Sequence, residues 1–167
     1  MTQFTFGYSD SEDRIWLSSS NGARYWLTRR LLVGLLGPVT SLLEKTVPGG
    51  DIPHALPPIQ RIALEHEEAL ADSPDGQPAL ERNKDTRAAG APPAQPVLVT
   101  GLTFQANGRR CTLIVNTSHG QSQIKLNRMD FHRLLAALYR ISLTAGWQVA
   151  GLPDWLAERA DLVTEMN

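Results

Sequence analysis

An α+β fold follows from this sequence, and three observations carry the inference. Strand-like runs that alternate between polar and apolar residues come in two groups of three. Each group is followed by leucines and other apolar residues at helical spacing, and Asn-Gly pairs (Asn21-Gly22 and Asn107-Gly108) mark hairpin turns within the groups. The prediction is two antiparallel three-strand-plus-helix units that form a small β-sandwich or barrel, flanked by inserted and C-terminal helices. A three-stranded group cannot hide its apolar face alone, so the two must pack together or each must pack on its helix.

The elements justify themselves in order. Gln3–Tyr8, with Phe4, Phe6 and Tyr8 alternating, suits a half-buried strand, and Ser9–Asp13 is a polar turn. Arg14–Leu17 and Ala23–Leu27 complete the first group. Thr28 can accept a bond from an unpaired helical N–H, so a helix starts there. It carries Leu31, Leu32, Leu35, Leu36, Val39, Leu42 and Leu43, with a kink or short break expected at Gly37-Pro38. Pro58 opens a second helix over Ile59–Ala71. Residues 72–96 are rich in Pro, Gly, Ala and charge and poor in large apolar side chains, which predicts a flexible loop. Val97–Gln105, Arg110–Asn116 and Ser122–Leu126 form the second group. Asn127 then caps a helix that runs to near Gly146, and Pro153-Asp154 starts a short terminal helix. All 167 residues read as one domain, with a helical insertion at 28–71 and the terminal helix at 152–165.

The two halves echo each other. Leu27, Arg29, Leu35 and Leu36 recur, in the same spacing, as Leu126, Arg128, Leu134 and Leu135, and Thr28 matches Asn127. Each copy reads as a strand end, a capping residue and an amphipathic helix, which suggests an internal repeat.

This order of elements resembles the head domain of the end-joining scaffold (XLF-like) and centriolar cartwheel proteins. Phe4–Leu27 would be the early strands, Arg29–Ala71 the inserted helices, Val97–Leu126 the three-strand meander and Arg128–Gly146 the following helix. The resemblance implies a domain for protein–protein contact and oligomerisation. Those proteins continue into a long coiled coil, whereas here no heptad pattern is sustained, so a coil-borne role does not carry over.

Composition narrows the classes further. The chain is 42% hydrophobic and 20% charged, as in an ordinary globule, and its formal net charge of −1 supplies no global field for nucleic acid. No signal-like start and no apolar run near about 18 residues occurs, so a cytoplasmic protein without membrane association is expected. Arg outnumbers Lys 13 to 3, in keeping with a GC-rich bacterial source. The lone Cys111 alternates with Leu113 and Val115 on a strand and reads as a core residue.

No pattern points to catalysis, a metal or a cofactor. Phosphate-binding glycine loops and the His-Glu-x-x-His pair are absent, and His66 amid Glu65, Glu67 and Glu68 looks like a solvated helix side. The residues that stand out are Trp26, Arg29, Arg30 and Arg128. Arginine in a helix's first turn opposes the helix dipole, so a bound anion would relieve Arg29, Arg30 and Arg128. The other reading is that they pair with acids of neighbouring elements. Trp26 lies on the strand face opposite Tyr25 and Leu27, where a helix or a partner would cover it. The expected function is a non-enzymatic interaction or oligomerisation module, a homodimer among its forms. Phosphate binding, nucleic acid included, through the arginines is the alternative, and a Cys111–His enzyme is the third reading.

Overall fold

The computed structural model describes residues 4–19, 22–47, 56–71, 95–107 and 109–157. In chain order the elements are β1 (Phe4–Ser9), β2 (Arg14–Ser19), β3 (Arg24–Thr28), α1 (Arg29–Lys45), α2 (Pro58–Ala71), β4 (Val97–Asn107), β5 (Arg110–Thr117), β6 (Gly120–Asn127) and α3 (Arg128–Thr144). A further helical turn begins at Asp154. The flexible loop predicted at 72–96 and the end of the terminal helix fall mostly outside the described residues.

The α+β class is as expected, but the strands do not form a sandwich or a closed barrel. They make one six-stranded sheet in the order β1-β2-β3-β4-β5-β6. Within each group of three the pairing is antiparallel. The groups join edge to edge through a short parallel contact, Tyr25 with Val97 and Trp26 with Leu98. The parallel seam has a simple cause. A hairpin reverses the chain, whereas a passage through helices, here α1 and α2, lets β4 start in the direction of β3.

The core lies on one face of this sheet. Phe6, Ile15, Leu17, Tyr25, Leu27, Val99, Cys111, Leu113, Val115 and Leu126 are buried there. Above them sits α3, which touches β1, β5 and β6 on one side and α1 and α2 on the other. Contact with both edge strands means that the sheet curls about this helix. Its burial is correspondingly all-round: Phe131, Leu134, Leu135, Ala137, Leu138 and Ile141 are buried, and Phe131 stacks on Phe104 with ring centres 4.2 Å apart. A helix covered on both sides must be apolar on most of its circumference.

Both predicted caps form. Thr28 Oγ1 accepts from Leu31 N–H at 3.4 Å, and Asn127 Oδ1 accepts from Asp130 N–H at 2.7 Å. Of the kink or short break expected at Gly37-Pro38, the break does not occur: α1 is continuous through Pro38. Pro38 and Gly34, whose carbonyl loses its helical partner, both lie on the exposed side of α1, where water can take that bond. In the β1–β2 turn, Asp13 adopts a left-handed φ of 47°. It accepts bonds from Tyr8 Oη–H and Trp147 Nε1–H, tying the segment after α3 to the β1–β2 turn.

Candidate functional site

Two places in the molecule are built from side chains that an ordinary core would not use. The first is a buried polar junction where α1, α2 and α3 meet. On α2 the residues Ile62, Glu65, His66 and Ala69 are all buried. Their i, i+3, i+4, i+7 spacing is one helical face, and it turns toward α3. His66 is therefore not on a solvated helix side, as its acidic neighbours suggest. It is 2% exposed, and Glu67 and Glu68 alone of that cluster take the solvent side.

Arg128, the first residue of α3, is only 3% exposed and enters this junction. Its Nε donates to Glu65 Oε1 at 2.5 Å, Nη1 to Thr46 Oγ1 at 3.0 Å and Nη2 to the Leu43 carbonyl at 2.7 Å. The last two acceptors lie at the C-terminal end of α1, where the helix dipole is negative and carbonyls lack helical partners. The relief that Arg128 needs at a helix start is thus supplied from within the chain. His132, one turn along, faces the other carboxylate oxygen: His132 Nε2 and Glu65 Oε2 stand 3.4 Å apart. That separation carries charge attraction but is long for a hydrogen bond, and neither atom has a hydrogen-bond partner among the described residues.

The His132 and His66 Nδ1 atoms are 3.1 Å apart, a hydrogen bond that holds only while one of the two nitrogens carries a proton and the other does not. Both rings meet Trp155 edge-on, and Trp155 Nε1 donates to Glu44. Burial alone would raise the Glu65 carboxyl. The His132 ring and the Arg128 guanidinium outweigh that and hold it below the usual carboxylate range. Chemically, the junction is a neutralised ion pair extended by two imidazoles and sealed by an indole. It fastens three helices and the turn that carries Trp155 together.

The second place is the sheet face turned away from the helices. Trp26 is on it, as its position opposite Tyr25 and Leu27 predicts, and is partly exposed. Strand register sets four residues in one row across the sheet: Gly7 opposite Trp16, Trp16 opposite Trp26, and Trp26 opposite Leu98. The Trp16 ring lies over Gly7 so closely that a Cβ there would overlap it, which is why a glycine is needed at that point. Arg24 stacks on Trp16 with its guanidinium 4.6 Å from the ring centre. Leu98 is 41% exposed.

The four residues singled out in the sequence are therefore divided. Trp26 belongs to the outer sheet face. Arg29 and Arg30 are exposed at the end of β3, and Arg128 is buried in the junction. No hydrogen bond or ion pair among the described residues joins Arg128 to Arg29 or Arg30. Sequence reasoning missed Glu65, His66 and His132; the available signal was the helical stripe from Ile62 to Ala69. It also gave no weight to Arg24 and Leu98, which become neighbours of Trp26 only through strand register. Cys111 is 1% exposed, and burial, the largest influence on it, pushes its thiol up to about 11. Among the described residues, no group of three or more His, Cys, Asp or Glu side chains is placed to hold a metal ion, and no helix is long and apolar enough to cross a membrane. Comparison with protein-family models, curated proteins and solved structures finds no match.

Proposed function

We propose that this chain is a non-enzymatic protein-interaction module whose contact surface is the outer face of β1–β4. One observation carries the reading. A partly exposed tryptophan and an exposed leucine stand side by side on a sheet face that no described helix covers, with a guanidinium stacked beside them. Tryptophan and arginine are the side chains most enriched at the energetic centres of protein interfaces, and an aromatic row framed by polar residues is the usual form of such a centre.

Nothing comparable supports the other readings. The thiol of Cys111 is inaccessible and protonated, so it lacks the thiolate that a nucleophile needs. The phosphate reading loses Arg128 to Glu65 and keeps only Arg29 and Arg30. The test is co-purification of the full chain from its source cells, comparing the native protein with Trp26→Ser/Leu98→Ser. Proteins recovered in stoichiometric amount with the native chain should be lost with the variant while its unfolding midpoint is unchanged. Recovery of the same set with both would overturn the reading.

A further inference from the structure

We infer that the partner of the outer sheet face is an acidic segment of another protein, seated with an apolar side chain between Trp26 and Leu98 and a carboxylate on Arg24. This rests on the interaction reading above and adds the chemistry of the partner.

Three observations lead there. The first is the balance of free charge around the row. Arg24 and Arg30 make no hydrogen bond or ion pair among the described residues, and the buried Nε of Arg24 has no acceptor. Two of the acids at the β1–β2 turn are already engaged. Glu12 lies 3.9 Å from Arg14, and Asp13 is turned to Tyr8 and Trp147 while Arg29 acts on it through space. Along β3 the row is thus flanked by guanidinium groups, Arg24 two residues before Trp26 and Arg30 just past the end of the strand. A guanidinium over an indole can still offer its N–H groups to a carboxylate, which it binds in a fork.

The second is size. Four strands about 4.8 Å apart and about 20 Å long present a footprint on the order of 400 Å². A stable interface between two folded copies takes about 800 Å² from each. A second copy would also bring the same arginines against these. One segment laid across the row fits the area and the charge.

The third separates protein from nucleic acid. Leu98, exposed at the centre of the face, offers an apolar contact and nothing to a phosphate backbone. The net charge of −1 supplies no long-range attraction.

The test places a photo-reactive residue on the face of the full chain, Leu98→p-benzoyl-phenylalanine, expresses it in the source cells, irradiates them and sequences the cross-linked peptide. Val33→p-benzoyl-phenylalanine, on the exposed side of α1, is the control for general stickiness. The expected product at Leu98, absent at Val33, is a segment of another protein with an excess of Asp and Glu around an apolar residue. Adding Arg24→Glu should cut its yield about tenfold, which corresponds to about 1.4 kcal/mol. Arg24→Gln should cut it less, and both variants should keep the native circular dichroism spectrum. A cross-link to a neutral or basic segment or to a second copy, or a yield indifferent to both Arg24 variants, overturns the acidic partner and leaves the interaction reading standing. Products with nucleic acid, or none at Leu98, overturn both.

Discussion

The starts of α1 and α3 are alike in sequence and opposite in circumstance. Each follows a strand, each is capped by a polar side chain, and each has an arginine as its first helical residue. Arg29 is exposed, whereas Arg128 is buried with all three of its nitrogens bonded. The difference lies in what surrounds them. At the start of α3, Glu65 of α2 and the C-terminal end of α1 both come within reach of the arginine, whereas no such acceptor among the described residues meets Arg29. The same residue in the same local setting is a solvated charge in one place and the centre of a three-helix fastening in the other. Local capping fixes where a helix begins; neighbouring elements fix what its first side chain does.

The largest expected effect tests that contrast directly. Arg128→Ala should destabilise the fold by about 3–5 kcal/mol in urea unfolding, because it strands the Glu65 carboxylate in the interior. Replacing the pair together, Arg128→Met/Glu65→Leu, should restore much of that loss, since no uncompensated charge then remains. A double variant as unstable as Arg128→Ala would show that the arginine acts through its bonds to the α1 end instead.

Acid should act on the same junction. In the unfolded chain Glu65 titrates near about 4.3, and in the fold its carboxyl is held lower. The folded state therefore binds its proton less readily than the unfolded state. Its stabilisation is fully present above the unfolded value and is lost as pH falls through the folded one. Urea midpoints measured downward from pH 6 should drop below about pH 4, and Glu65→Gln should flatten that part of the profile. An identical acid profile in both proteins would assign the loss to other carboxylates.

The caps give a smaller contrast in the same direction. Asn127 bonds Asp130 N–H at 2.7 Å and also donates to the Asp130 carboxylate at 2.8 Å, while Thr28 reaches Leu31 N–H only at 3.4 Å. Asn127→Ala should cost about 1 kcal/mol and Thr28→Ala a few tenths. Smallest of all is Arg29→Ala, expected within about 0.5 kcal/mol of native stability, as for any solvated surface charge.

Much of the fold was legible because its signals are local. Alternating runs and hairpin turns marked the strands, the residues Thr28 and Asn127 marked the helix starts, and an apolar stripe marked α3. The way the two strand groups join was not legible. Whether two three-stranded groups stack face to face or join at an edge depends on how α1 and α2 carry the chain across, which no short-range pattern contains. The junction was obscured for a different reason. The buried face of α2 alternates Ile62 and Ala69 with Glu65 and His66, so a count of apolar residues sees a broken stripe, and the adjacent Glu67 and Glu68 suggest solvent. The outer face was half visible: the parity of Trp26 against Tyr25 and Leu27 placed it outward, but Arg24, Trp16 and Leu98 join it only by register.

By itself, then, the sequence determined the elements, their caps and the outward side of Trp26, since each follows from residues within a turn or two of one another. Tertiary structure decided that the sheet is single and curled, that Arg128 is spent on Glu65 while Arg29 stays in water, and that Trp26 stands beside Leu98. These are contacts between residues far apart in the chain. Their free energy depends on burial and on which groups are left to pair, and both are defined only once the helices have packed.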